Sequence, residues 1–66
     1  MQMSVGERIK QLRETVGFTQ EQLADKCKIT VEELHNYETN KKSPILIVAI
    51  SLANALSVSV SDLIEW

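Results

Sequence analysis

The sequence is poor in the residues on which several classes of protein chemistry depend. A single cysteine, Cys27, stands in 66 residues, so no internal disulfide can form and no cysteine cluster can hold zinc. His35 is the lone histidine and cannot supply the missing ligands, so neither a metal nor a cofactor is expected. The aromatic residues are Phe18, Tyr37 and Trp66 alone, which leaves Leu, Ile, Val and Ala to build the core, a composition suited to packed helices. Long apolar runs are missing too. The longest, Ile45 to Ile50, falls far short of a bilayer span, and the stretch from Met1 to Lys10 has none. Neither a membrane segment nor a signal peptide is therefore expected, and the default reading is a soluble cytoplasmic protein. Positive charge is short as well: 7 Lys and Arg against 9 Asp and Glu give a formal charge of −2 and a pI near 5.2. Phosphate contacts supply most of the affinity of DNA binders, so this balance weighs against nucleic acid unless local distribution outweighs the sum. No glycine loop could cradle a phosphate, and no nucleophile stands beside the histidine, so an enzyme is not expected.

What the sequence does contain is punctuation. Length allows one domain, residues 1–66, with one modest core. Four times a Ser or Thr is followed three positions later by an acid or amide, the pattern of a helix N-terminus: Ser4 with Glu7, Thr19 with Gln22, Thr30 with Glu33, Ser59 with Asp62. At the last three, apolar pairs flank the cap as hydrophobic staples: Phe18 with Leu23, Ile29 with Leu34, Val58 with Leu63. A fifth start is implied by Ser43-Pro44, with proline at the first helical position. The expected helices run over 4–16, 19–27, 30–38, 44–56 and 59–65. Apolar residues recur at helical spacing at Val5, Ile9, Leu12 and Val16, and at Leu23, Ala24 and Cys27. In the fourth helix the core stripe reads Leu46, Ala49, Ile50, Ala53 and Leu56. Gly17 stands where a left-handed cap would close the first helix. The fold class is all-α, and Lys28 to Thr30 is a link short enough to force a sharp angle between the second and third helices, the geometry of a helix-turn-helix.

These residues resemble a known family. Thr19-Gln20-Glu21-Gln22-Leu23-Ala24, then Ile29-Thr30, Leu34, Tyr37-Glu38 and Lys41-Lys42-Ser43-Pro44, resemble the phage Cro and repressor type of helix-turn-helix, the XRE family. Gly6 to Arg13, Leu52 to Leu56 and Val58 to Ile64 fit as well, so the resemblance covers nearly the whole chain. It implies a compact five-helix bundle that binds double-stranded DNA, usually as a homodimer, in a prokaryotic or phage setting. By the same resemblance Gln20 opens the second helix against a phosphate or base edge. Thr30, Val31, Glu32, Glu33 and Asn36 occupy the groove-facing part of the recognition helix, Lys41 and Lys42 lie in a backbone-touching loop, and Arg13 pairs with Glu38. Lys28 and Asn40 stand where the family has glycine. Lys28 would adopt a left-handed conformation at a cost of about 1 kcal/mol, and it adds a positive charge near DNA.

Each assignment has a plainer counterpart. Gln20 and Asn36 are DNA contacts or solvated polar residues, although an amide such as Asn36 can bond adenine bidentately. Glu33 reads first as the capping partner of Thr30, and Thr30 as a cap before a phosphate contact. Glu32 either accepts from cytosine N4 or marks a face that never meets DNA. Val31 either touches a thymine methyl or packs at the core boundary, with packing favoured. Cys27 reads as a small buried hydrophobe and His35 as a solvated helix residue. Ile45, Ile47 and Val48 are apolar where the family is polar, and a patch there suggests a protein interface, unless Met1, Met3 or Trp66 covers it. The expected function is a homodimeric transcriptional repressor or regulator. The alternative is a protein-interaction module, docking through the fourth helix, that kept the scaffold and surrendered DNA.

Overall fold

The computed structural model describes residues 3–64, so Met1 and Trp66 lie outside the described part. Five helices follow one another: α1 (Val5–Val16), α2 (Gln20–Cys27), α3 (Val31–Glu38), α4 (Leu46–Ala55) and α5 (Val60–Ile64). No strand occurs among the described residues.

The caps form as their sequence signatures imply. Ser4, Thr19 and Thr30 each accept from the backbone three residues on, while Glu7, Gln22 and Glu33 reach back to the backbone of the cap residue. The Oγ of Ser59 accepts from Asp62 N–H at 3.0 Å. Helix ends are equally regular. Gly17 (φ 97°), Lys28 (φ 59°), Asn40 (φ 64°) and Ser57 (φ 60°) are all left-handed. After each, the next residue donates its N–H five positions back, Phe18 to Arg13, Ile29 to Ala24, Lys41 to Asn36 and Val58 to Ala53, at 2.8–3.0 Å.

Three of the connections are therefore the same device. Gly17-Phe18-Thr19, Lys28-Ile29-Thr30 and Ser57-Val58-Ser59 each run left-handed residue, apolar residue, hydroxyl cap. The apolar member packs against the core in every case. It closes one helix and staples the next, so the crossing angle is held at both ends by one side chain.

The fourth connection differs, and here the expectation from Ser43-Pro44 fails. Helix α4 begins at Leu46, with Ile45 as an extended N-cap that makes no side-chain hydrogen bond. Pro44 sits one residue before the cap rather than inside the helix. It lines an apolar groove together with Val5, Ala49 and Ile64. Pro44 thereby takes the staple position relative to Ala49 that Phe18, Ile29 and Val58 take elsewhere, and burying its ring there is favoured over starting the helix at Ser43.

The core is built from Ile9, Leu23, Ala24, Cys27, Leu34, Tyr37, Ala49, Leu52, Ala53, Leu56 and Leu63. In α4 the buried side is thus Ala49, Leu52, Ala53 and Leu56, which corrects the expected stripe: Leu46 and Ile50 are exposed. Val48, read as part of a surface patch, is half-buried and packs on the core. The late start places Leu46 in the first turn of the helix, where it is exposed. Val16, expected inward, is also exposed at the end of α1.

Helix α1 packs closely on α3. A Cβ on Gly6 would collide with the Tyr37 carbonyl oxygen and fall 2.8 Å from that of Glu38. Asn40 clamps the same junction: its Oδ1 accepts from Gly6 N–H at 3.2 Å, and its Nδ2 donates to Ser4 Oγ at 2.8 Å.

Candidate nucleic-acid interface

Helices α2 and α3 pack against each other across the joint Lys28 to Thr30. Leu23, Ala24 and Cys27 from one and Leu34 and Tyr37 from the other turn inward. That arrangement leaves the first turn of α3 and the start of α2 facing solvent on one side of the molecule. A shallow open groove runs there from Gly17 through Glu21 and reaches Val31.

A buried polar knot holds this side in place. Arg13 and Glu38 are only 9% and 6% exposed, and the guanidinium meets the carboxylate as a fork, Nε to Oε2 at 2.6 Å and Nη2 to Oε1 at 3.2 Å. Nη1 of Arg13 also donates to the Phe18 carbonyl at 2.9 Å. Gln20 Nε2 donates to Glu38 Oε1 at 3.0 Å. The pair ties α1 to α3 and, through Phe18 and Gln20, both to the start of α2. Hydrogen bonding to Glu38 pushes the Arg13 pKa further above its already high value.

The candidates from sequence fall into groups. Gln20 is half-buried, and one of its amide hydrogens is committed to Glu38, while its oxygen and second hydrogen have no hydrogen-bond partner among the described residues. Thr30 and Glu33 are occupied by each other: Glu33 N–H donates to Thr30 Oγ1 at 3.0 Å and Thr30 N–H to Glu33 Oε1 at 2.9 Å. The Thr30 N–H and, next, the Thr30 hydroxyl at 3.2 Å, both donating to Glu33 Oε1, hold the Glu33 carboxyl below the usual range, with a smaller contribution from Lys42. Glu32 is exposed, and no described residue hydrogen-bonds or ion-pairs with its side chain. Asn36 is half-buried with its side-chain amide likewise unengaged, while its carbonyl accepts from the N–H groups of Lys41 and Lys42. Lys28, Lys41 and Lys42 are exposed. Val31 is 40% exposed and lines the groove, so the packing role favoured from sequence is not the one it has.

Two contributors escaped the sequence reading. The sequence marks Asn40 for its backbone alone, yet its side chain anchors the loop that bears Lys41 and Lys42 to the head of α1. The bond from Gln20 to Glu38 crosses 18 positions and has no local signal. Cys27 is buried as expected, and burial raises its thiol pKa. At the head of α4, Ile45, Leu46 and Ile47 are 67%, 66% and 68% exposed, and Ile50, one turn after Leu46 and Ile47, is 40% exposed. The apolar patch is real, with Leu46 and Ile50 in place of Val48.

A family model for the helix-turn-helix matches residues 9–63. The chain belongs to the helix-turn-helix family. Its type is that of the XRE regulators, in line with the resemblance drawn from the residues. ImmR of Bacillus subtilis strain 168, named as an HTH-type transcriptional regulator, is 36% identical over 62 residues, 94% of this chain and 49% of the relative. The structure of SinR, the master regulator for biofilm formation, in complex with DNA is matched with a TM-score of 0.85 at 32% identity, over 89% of this chain and 95% of that one. The P22 c2 repressor, solved with a synthetic operator, is matched with a TM-score of 0.91 over 97% of each chain, at 22% identity, a likeness of fold. The helix-turn-helix chain spans about half the length of the curated relatives it matches. No helix among the described residues is long and apolar enough to cross a membrane.

Proposed function

We propose that this chain is the DNA-binding unit of a transcriptional repressor or regulator, acting in the cytoplasm as a homodimer on a two-fold-related operator. The observation that carries the reading is the α2–α3 pair with its exposed first turn, within a fold that is similar to a regulator solved on DNA at 32% identity over 89% of this chain. In this reading α3 enters the major groove, with Val31, Glu32 and Asn36 toward the base edges. Gln20 and the N-terminus of α2 meet the backbone, and Lys28, Lys41 and Lys42 neutralise phosphates. With so few cations, affinity is modest, and each phosphate neutralised adds only about 0.9 to the salt slope.

The apolar patch of Ile45, Leu46, Ile47 and Ile50 supports self-association. From Ser43 to Ser61 the chain carries no charged residue, so a two-fold contact between copies sets no like charges against each other. Selection from a random duplex library, at low and at physiological salt, tests the function. A palindromic motif is expected. No enrichment and no low-salt binding would leave the protein-interaction alternative in its place.

A further inference from the structure

Besides the exposed His35 farther along, four side chains at the cap and on the outer face of α3 carry polar groups that could reach base edges, and the structure divides these four into two pairs. Thr30 and Glu33 are consumed by the capping box, in which Thr30 Oγ1 also lies 3.2 Å from Glu33 Oε1. Glu32 and Asn36 are left, with no side-chain partner among the described residues. They stand four positions apart. At about 3.6 residues per turn that places them one above the other, on the side opposite the buried Leu34, Tyr37 and Glu38.

The two leftover groups ask for different bases. An ionised carboxylate can only accept. In the major groove guanine shows two acceptors, thymine an acceptor and a methyl, adenine a donor beside an acceptor, and cytosine a donor alone. A carboxylate with no cation of its own is thus repelled or half-satisfied by three bases and satisfied by cytosine. The Asn36 amide donates and accepts, which matches adenine N6 and N7. One helical turn rises about 5.4 Å against about 3.4 Å per base pair, so the two bases are neighbours or are separated by one pair.

Resting on the DNA-binding reading above, we propose that Glu32 is a specificity-determining residue that selects cytosine through its 4-amino group, with an adenine facing Asn36 within two base pairs. The charge acts by exclusion as much as by attraction. On any other base it sits among phosphates uncompensated, which weakens binding to non-cognate duplex. The acidic balance of the chain works in the same direction: low non-specific affinity raises the ratio of specific to non-specific binding.

The test is library selection with the wild type, E32Q and E32A, each checked for helicity by circular dichroism. The enriched duplex is then titrated with its facing cytosine replaced by an analogue lacking the 4-amino group. At one position E32Q is expected to move the preference from cytosine to adenine, and E32A to flatten it, with the other positions kept. The wild type should lose about tenfold or more in affinity for the analogue and E32A nothing. An unchanged motif in E32A, or a wild-type motif indifferent to cytosine, overturns the assignment and leaves DNA binding standing. A folded wild type that enriches nothing at any salt overturns the DNA-binding reading itself.

Discussion

Arg13 and Glu38, 25 positions apart in sequence, form a two-pronged ion pair under the surface where three helices meet. Taking either partner away leaves the other buried without compensation, at a cost of about 3 kcal/mol or more. Urea titration followed by helicity should show R13A and E38A both strongly destabilised. A double replacement with Met and Leu should recover part of the loss, because no charge is then left stranded. Losses that simply add would show that the two side chains act separately.

Gly6 allows α1 to approach the end of α3 more closely than any side chain permits. Alanine favours helix over glycine by roughly 0.5–1 kcal/mol, yet here its methyl would collide with two carbonyl oxygens that belong to the fold. Overpacking of this kind costs about 1–3 kcal/mol, so G6A is expected to melt at a lower temperature than the wild type. A rise in Tm would mean that the helices can part without penalty.

Lys28 and Ser57 occupy the same backbone conformation at equivalent joints, one beside the proposed interface and one on the α4 side. Glycine at either site should stabilise by roughly 0.5–1 kcal/mol once its own entropy is counted. The two variants should separate on DNA. K28G is expected to lower the salt slope of binding by about 0.9 for one lost phosphate contact, while S57G leaves it unchanged. Equal salt slopes would remove Lys28 from the interface.

The capping carboxylates predict an acid sensitivity. Glu7 and Glu33 are held below the ordinary carboxylate pKa by bonds from Ser4 and Thr30. Groups shifted this way contribute stability that is present above their unfolded pKa and is lost as the pH falls through the lowered one. Thermal melts from pH 7 to 3 should therefore show the wild type losing more than E33Q, whose amide can still accept from the Thr30 N–H but has no carboxylate to protonate. Parallel curves would exclude the Thr30 bond as a source of the acid response.

Ile47 is solvent-exposed, so I47K should leave stability within about 0.5 kcal/mol of the wild type. In sedimentation it should lower the dimer fraction, and binding to a full operator should fall toward that of a half-site. A dimer that survives I47K and L46K together would shift the contact elsewhere, α5 being the next surface to examine.

Much of the fold was legible because its signals are local. Caps, staples and left-handed closures lie within six residues of one another, so Thr19 to Leu23 announces α2 without reference to the rest of the chain. Helix α4 was misread where two local rules compete: proline suits a first helical turn, and it equally suits a buried position just ahead of one. The groove formed with Val5 and Ile64 decides between them, and those residues are remote in sequence. The same reason hid the clamp of Asn40 on Ser4 and Gly6 and the bond from Gln20 to Glu38. Periodicity alone put Leu46, Ile50 and Val16 inside, because it marks which residues share a face and not where the neighbouring helices run out.

The repeated three-residue joints have a consequence for how such a chain can change. A connection this tight stores no slack, so one residue inserted between Cys27 and Thr30 has nowhere to bulge. Absorbed into α3, it would turn every later side chain by about 100°, carrying Glu32 and Asn36 off the outer face and drawing Leu34 out of the core. On the proposed DNA-binding reading, altered operator preference is thus reachable by exchanging side chains on α3, while the lengths of the joints on either side of α2 are closed to drift.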